Sequence, residues 1–202
     1  MAQSFLDNNS QLDHVVIEGT NRVLISVPHG VFQVREGKEK PSEMGSVMTA
    51  LQLQRLTDSH LIAKTKTNLD DANYDIDCPY RDTIARLIES GKVKYIIDIH
   101  GLAFKREMDI NLGTNDGRNI RMDNEVFNGL VQILQDNGIN VSIDQPFKGG
   151  DRTIAGAFAS KYDNIWTLQI EVNARLTYDE KNFSQYMKLF EVLSNWIGFL
   201  AK

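Results

Sequence analysis

The chain of 202 residues predicts an α/β fold of three layers, α/β/α, with a mixed sheet in the middle. Three observations carry that expectation. Strand-forming runs such as Val23-Leu24-Ile25-Ser26, Tyr95-Ile96-Ile97 and Trp166-Thr167-Leu168-Gln169-Ile170 alternate with segments of helical apolar spacing, the pattern of a layered α/β architecture. The run from Val93 to Ile99 is almost continuously apolar, the mark of a strand covered on both faces. Some neighbouring strands follow one another with no helix between them, so the sheet is mixed rather than purely parallel. Residues 1–202 read as a single domain, the usual outcome at this length.

In chain order, His14 to Glu18 and Arg22 to Val27 read as two strands around the turn Gly19-Thr20-Asn21. Phe32 to Ser42 is charged, holds Gly37 and Pro41, and reads as a loop. Ser42 is placed to cap a helix from Glu43 to about Thr57, in which Met44, Val47, Met48, Leu51 and Leu56 follow helical spacing. Leu61 to Thr65 is a short strand, and the Asp- and Asn-rich stretch from Asn68 to Pro79 a loop. Tyr80 to Glu89 is helical with Gly91 as its stop. Val93 to Ile99 and Met108 to Leu112 are strands, Asn124 to Gln135 a helix closed by Asn137-Gly138, and Ile139 to Ile143 an alternating strand. Gln145 to Arg152 is a loop, Thr153 to Lys161 a helix, and Ile165 to Val172 a buried strand. Glu180 to Leu200 is a long amphipathic helix, with Phe183, Tyr186, Met187, Phe190, Leu193, Ile197 and Leu200 on one side.

Composition narrows the function. Hydrophobic residues make up 42%, charged residues 24%, and the net charge is -5. These are ordinary values for a soluble globular protein, and the acidic balance argues against a nucleic-acid partner, which wants a basic face. No stretch approaches the roughly 20 apolar residues of a membrane helix. Cys78 is the single cysteine, so no intramolecular disulfide forms and a reducing compartment is expected. The stretch Met1 to Asp13 is polar and lacks the basic-then-apolar order of a signal peptide. A soluble, cytoplasmic protein with a small-molecule substrate is the expectation. Neither a phosphate-cradling GxxxxGK[ST] string nor GxSxG is present.

Two strings far apart look alike, Val27-Pro28-His29-Gly30 and Asp98-Ile99-His100-Gly101, and each follows a strand-forming run. A third run ends in Glu171. Two imidazoles and a carboxylate at the ends of separate buried strands are the raw material of a catalytic zinc site, and open α/β sheets bind ligands beyond the carboxyl ends of their strands. His14 and His60 lack this setting and read as structural imidazoles. The glycine beside each strand-end histidine lets another group approach the backbone. Asp98 is two residues before His100, so the side chains share a face, and its carboxylate can accept the second imidazole N–H and orient the ring. Its alternatives are a cap on the following turn or a direct ligand role.

A catalytic zinc takes three protein ligands and keeps one position open. Glu36, Glu39 and Glu43 all follow His29; Glu43 is preferred because it opens a helix, where an acidic residue is also at home as a favourable N-terminal charge. Glu36 is the fallback. Glu171 is costly on a buried strand unless paired, near a metal or in a cleft, and reads as a general base for a water and an acid for a leaving nitrogen, against an ion pair with Arg175. For a substrate carboxylate, Arg81, Arg152 and Arg175 are candidate partners, with Asn73 in the acidic loop and Gly149 and Gly150 offering backbone N–H groups.

The order of these motifs resembles the N-formylglutamate amidohydrolase family. Ser26-Val27-Pro28-His29-Gly30, Glu43 opening a helix, Asp71-Ala72-Asn73, Asp98-Ile99-His100-Gly101, Pro146-Phe147-Lys148-Gly149-Gly150 and Leu168-Gln169-Ile170-Glu171-Val172-Asn173 occur in sequence, from about residue 22 to about 180. That family is related to the zinc carboxypeptidases and to the aspartoacylase and succinylglutamate desuccinylase group. The resemblance implies one zinc ion at His29, Glu43 and His100, Glu171 as general base, and a mixed sheet of the phosphorylase/hydrolase-like kind. It also implies hydrolysis of an N-acyl or amide bond next to a carboxylate-bearing group. Two positions depart from the pattern. Phe32 stands where carboxypeptidase-like relatives carry their first carboxylate ligand, and Tyr74 stands where the acidic loop of relatives carries arginine. Arg81 is the candidate replacement. Two other readings stand beside the amidohydrolase: a carboxypeptidase-like or γ-glutamyl peptidase sharing the metal site, and a non-catalytic binding protein on the same fold.

Overall fold

A computed structural model describes residues 11–121 and 124–202. Most of the stretch read above for a signal peptide lies outside the described residues. Seven strands form one sheet in the order β1-β5-β2-β6-β9-β7-β8. Its centre is parallel: β5 (His60–Lys64), β2 (Val23–Val27), β6 (Tyr95–Leu102) and β9 (Trp166–Asn173). β1 (His14–Ile17) runs antiparallel to β5, β7 (Ile110–Gly113) runs antiparallel to β9, and β8 (Val141–Ile143) pairs parallel with β7. The sheet is therefore mixed, as the strands joined without helices foretold. β1 and β2 do not form a hairpin across Gly19-Thr20-Asn21; β5 lies between them.

Helices cover both faces because the central strands are apolar on both. Val23, Ile25 and Val27 face one core, closed by α1 (Met44–Thr57), α3 (Asn124–Asp136) and α6 (Phe183–Leu200). Leu24, Ile62 and Ile96 face the other, closed by α2 (Pro79–Glu89) and α4 (Ile154–Lys161). Successive strand residues thus serve opposite layers, as the period of two requires. Pro79 stands in the first turn of α2, where its missing N–H costs nothing. Thr153 caps α4, its hydroxyl accepting from the Gly156 N–H at 3.2 Å. Among the described residues, no helix is long and apolar enough to cross a membrane.

The structure corrects several expectations. Phe32 to Ser42 is not all loop: β3 (Gln33–Arg35) and β4 (Lys38–Lys40) form a hairpin whose two-residue turn, Glu36 and Gly37, has φ of 52° and 73°, the positive values of a type I′ connection. Ser42 does not cap α1; Glu43 holds the N-cap position without a side-chain capping bond, and its carboxylate is used elsewhere. β6 runs on through His100 and Gly101 to Leu102, so His100 lies inside a strand rather than at its break. A short helix, α5 (Ala174–Tyr178), follows β9, and α6 starts only at Phe183. Phe183 and Met187 are exposed, not on the buried stripe.

Tyr80 joins the layers behind the site. It is fully buried on α2, and its hydroxyl accepts from the Val27 N–H at 2.9 Å and donates to the Ile62 carbonyl at 3.0 Å. Removing that hydroxyl leaves two buried backbone groups unpaired, at about 1–3 kcal/mol. Tyr80→Phe should therefore lower the melting temperature by several degrees in a thermal melt; an unchanged Tm would show that the hydroxyl is not needed to join β2 and β5.

Candidate active site

Three strands and two loops bring the site together beyond the carboxyl ends of β2, β6 and β9. His29 stands two residues past β2, and its carbonyl accepts from the Glu43 N–H at 2.9 Å, so the excursion between them closes on itself. His100 pairs directly with Glu171 in the parallel register of β6 and β9. One ligand atom each from His29, Glu43 and His100 lies within 4.8 Å of the others. His29 Nδ1 is 2.9 Å from Glu43 Oε1, His100 Nδ1 is 3.5 Å from Glu43 Oε2, and the two Nδ1 atoms are 3.1 Å apart. Glu36, the fallback ligand, is instead bonded to the Tyr74 hydroxyl at the hairpin tip. Glu43 reaches the cluster across Gly101, whose N–H donates to its Oε2 at 2.8 Å. A Cβ at Gly101 would come within 3.2 Å of the Glu43 side chain, so the glycine is there for close approach.

The far side of each imidazole is held by a buried aspartate. His100 Nε2 lies 3.0 Å from Asp98 Oδ2, and Ser26, in register with Asp98 on β2, donates its hydroxyl to Asp98 Oδ1 at 2.7 Å. His29 Nε2 lies 3.0 Å from Asp71 Oδ1, and the Arg35 guanidinium bonds Asp71 Oδ2. With each Nε2–H given to a carboxylate, both Nδ1 lone pairs turn inward. Two nitrogens at about 2.05 Å from a tetrahedral ion stand roughly 3.3 Å apart, close to the spacing seen here. The donor set and its aspartate supports fit a divalent ion.

Electrostatics agrees. Burial alone would lower the His29 pKa, but the Glu43 charge and the bonds to Asp71 and Glu43 outweigh it and raise it to about 9. His100 is likewise raised against its burial, chiefly by Asp98. Burial would lift the Asp71 carboxyl, yet the His29 bond and the His29 and Arg35 charges hold it at about 2. Glu43 is held well below its usual range by the two imidazoles, against its burial. Glu171 moves the other way: burial pushes it up to about 7, against the pull of His100 and with the Glu43 charge adding to the rise. Such a carboxyl can exchange a proton near neutrality.

These groups line a cavity of about 460 Å3 that also takes in Asn73, Arg152 and Gln169, a volume suited to a small molecule. Asn73 Oδ1 accepts from the Ile154 N–H at 2.8 Å, which leaves its amide nitrogen for the cavity. Arg152 packs its guanidinium 4.3 Å from the Tyr74 ring centre and donates to the Tyr74 hydroxyl at 2.8 Å. Arg35 packs 4.9 Å from the same ring. The other candidates for substrate contact do not reach the cavity. Arg81 is buried and donates to the carbonyls of Ala72 and Arg152, joining two loops. Arg175 is paired with Asp109 at 2.7 Å, so it does not neutralise Glu171. Gly149 (φ 66°) lies so close to the Gly113 carbonyl that a Cβ would come within 2.9 Å, and the Gly150 carbonyl accepts from Thr153; both shape the loop. Asp71, Arg35 and Gln169 received no role from the sequence. Asp71 had a signal in the Asp71-Ala72-Asn73 string, whereas Arg35 had none once its segment was read as loop.

A mixed sheet with a histidine–carboxylate cluster at the ends of its parallel strands, beside the buried Glu171 carboxyl, is an α/β fold of the hydrolase-like class. The sequence model of the N-formylglutamate amidohydrolase family matches residues 35–178, and the chain belongs to that family. Similar solved structures include N-formylglutamate amidohydrolase from Ralstonia eutropha JMP134, at 13% identity and TM-score 0.63, with 94% of this chain and 97% of that chain covered. A bacteriophage poly-gamma-glutamate hydrolase is 15% identical with TM-score 0.58, covering 96% and 91%. YNDL in a zinc-free apo form is 23% identical with TM-score 0.56, covering 94% of each chain. At these identities the likeness is one of fold. No curated protein sequence matches the chain.

The titrations predict how the metal-free protein responds to pH. His29 and Glu171 both bind protons more tightly folded than unfolded, so stability must fall as pH rises through their folded values. His29 contributes fully below its unfolded value of 6.5 and loses that contribution through about 9; Glu171 opposes folding increasingly from 4.5 to about 7. Metal-free protein should melt at a lower temperature at pH 9 than at pH 6, and a divalent ion should narrow the gap. A melting temperature that rises toward pH 9 without metal would contradict the assignment.

Proposed function

We propose that the chain is a zinc-dependent amidohydrolase that cleaves an N-acyl bond next to a carboxylate-bearing group, with N-formylglutamate as the type of substrate. The observation that carries this reading is the convergence of His29, Glu43 and His100 within 4.8 Å, in the cavity that Glu171 also lines. These three residues would hold one divalent ion, and the ion would supply Lewis acidity, acidifying water and polarising the scissile carbonyl. Glu171 accepts the proton of the attacking water and passes it to the leaving nitrogen as the C–N bond breaks. Asp71 and Asp98 keep the imidazoles in the tautomer that presents Nδ1. Asn73 and Arg152 bind the substrate carboxylate, with Arg35 behind them on Tyr74. The single cysteine suits a reducing, cytoplasmic setting.

One observation favours the second reading, a γ-glutamyl or terminal peptidase. Arg35, Lys40 and Arg152 all line the cavity, more cationic groups than one carboxylate requires. A hydrolysis screen of N-acyl amino acids against γ-glutamyl compounds, with and without chelator, separates the two. The intact ligand trio and Glu171 argue against a purely binding role.

Glu171→Gln should lower kcat at least about 10³-fold while the protein still retains close to one equivalent of metal by elemental analysis. Near-normal turnover in that variant would remove Glu171 as the base. Asp71→Asn and Asp98→Asn should each weaken zinc affinity about 10–100-fold, read by competition with a chromophoric chelator. Unchanged affinity in both variants would show that the aspartates do not orient the ligands.

A further inference from the structure

Four buried side-chain atoms among the described residues have no hydrogen-bond partner: Gln33 Oε1, Asn119 Oδ1, Trp166 Nε1 and Gln169 Oε1. Two of them belong to residues that line the one cavity described above, Gln33 and Gln169. A buried carbonyl oxygen without a donor is costly, about 1–3 kcal/mol. Beside a ligand cavity, such an orphan marks an acceptor whose donor arrives with the ligand.

Gln169 is the better placed of the two. It is 3% exposed, and its Nε2 donates to Glu171 Oε1 at 2.9 Å. Gln169 and Glu171 are two residues apart on β9, so their side chains share a face. The bond to Glu171 also fixes which way the amide points. Toward the ionised carboxylate, which can only accept, the amide presents its nitrogen, so the orphaned group is an oxygen, an acceptor and not a donor. Gln33 has no contact that ties it to Glu171.

We propose that Gln169 accepts a hydrogen bond from the N–H of the scissile amide, and that this bond aims the nitrogen at Glu171. The inference rests on the amidohydrolase reading and adds a positioning residue to it. In the planar amide the nitrogen lone pair is delocalised into the carbonyl. Attack by water makes the carbon tetrahedral and localises that pair on nitrogen. With the N–H held on Gln169 Oε1, the new lone pair must point elsewhere. Gln169 itself is bonded to Glu171, so the carboxyl carrying the water's proton is next to that nitrogen. The proton moves from Glu171 to nitrogen, the C–N bond breaks with its electron pair going to nitrogen, and the original N–H stays on Gln169. One side chain thereby fixes both partners of the transfer.

The test compares an amide with its oxygen isostere, which has no N–H. N-formylglutamate and 2-formyloxyglutarate differ only in that group. Gln169→Met keeps the size and loses the acceptor. It also loses the bond to Glu171, which weighs on the amide more than on the ester because amine expulsion needs a proton more than alkoxide expulsion does, so the binding measurement below, which involves no turnover, separates the two roles. The variant should therefore lose at least tenfold more kcat/KM on the amide than on the ester, with metal content unchanged. Equal losses would remove the role of Gln169 while leaving the hydrolase reading intact. A wild-type protein that hydrolyses neither compound would remove both. A binding measurement on the wild type needs no variant. The methylphosphonamidate of glutamate should bind at least tenfold tighter by calorimetry than the methylphosphonate ester of 2-hydroxyglutarate. Equal affinities would overturn the proposal.

Discussion

The register between β6 and β9 is the constraint on which the site depends. It sets His100 opposite Glu171 and Asp98 opposite Gln169, and the neighbouring pairing sets Ser26 opposite Asp98. All five act through their side chains on one face, and a slip of β9 by one residue would turn Gln169 and Glu171 away from Asp98 and His100. The apolar residues between them prevent that slip. Ile97 and Ile99 are fully buried against the α1 and α6 side, and moving them would bury charge in their place. The same burial that anchors the core therefore aligns the chemistry, with no separate device for the purpose.

The price of that alignment is a concentration of charge. Glu43, Asp71, Asp98 and Glu171 face two imidazoles and the Arg35 guanidinium in a largely buried cluster at the cavity wall. Without a cation at the centre, the cluster must hold protons to stay neutral enough to be buried. That is the physical content of the raised histidines and of a Glu171 carboxyl near 7. A divalent ion can take over from those protons, because the inward Nδ1 atoms and the Glu43 carboxylate are the groups that would bind it. Metal binding and proton release are then two sides of one equilibrium.

Much of this was legible in the sequence. The two histidine strings, Glu43 opening a helix and Asp98 two residues before His100 each carried a local signal, though Glu43 competed with Glu36 and Asp98 with a turn cap or a direct ligand role, and the structure brings His29, Glu43 and His100 together. What could not be read depended on distance in the chain. Asp71 supports His29 from 42 residues away, and nothing near Asp71 announces which imidazole it will meet. The hairpin was hidden by its own turn: Glu36 adopts a positive φ where asparagine, aspartate or glycine is the usual sign, and its flanks are charged rather than apolar. Arg35 was lost with it. Gln169 was read only as part of a buried strand, since its unpaired oxygen is a property of packing and not of residue type.

Tyr74 shows how a departure from a family pattern can be read physically. An aromatic ring cannot replace the charge of an arginine, but it can gather charge from elsewhere. The guanidinium groups of Arg35 and Arg152 lie 4.9 and 4.3 Å from its ring centre, within the range of cation–π attraction. Its hydroxyl accepts from Arg152 and donates to Glu36, so the ring is fixed to the hairpin and to the loop before α4 together. Arg81, the nearer candidate in sequence, is consumed by two backbone carbonyls. The cationic side of the cavity is thus assembled from two separate segments, those of Arg35 and Arg152, around one tyrosine. Arg35 is also bonded to Asp71, which holds His29, so this edge of the cavity is linked by two successive contacts to the histidine cluster. The cationic edge and the His29–Glu43–His100 cluster share a single hydrogen-bonded frame.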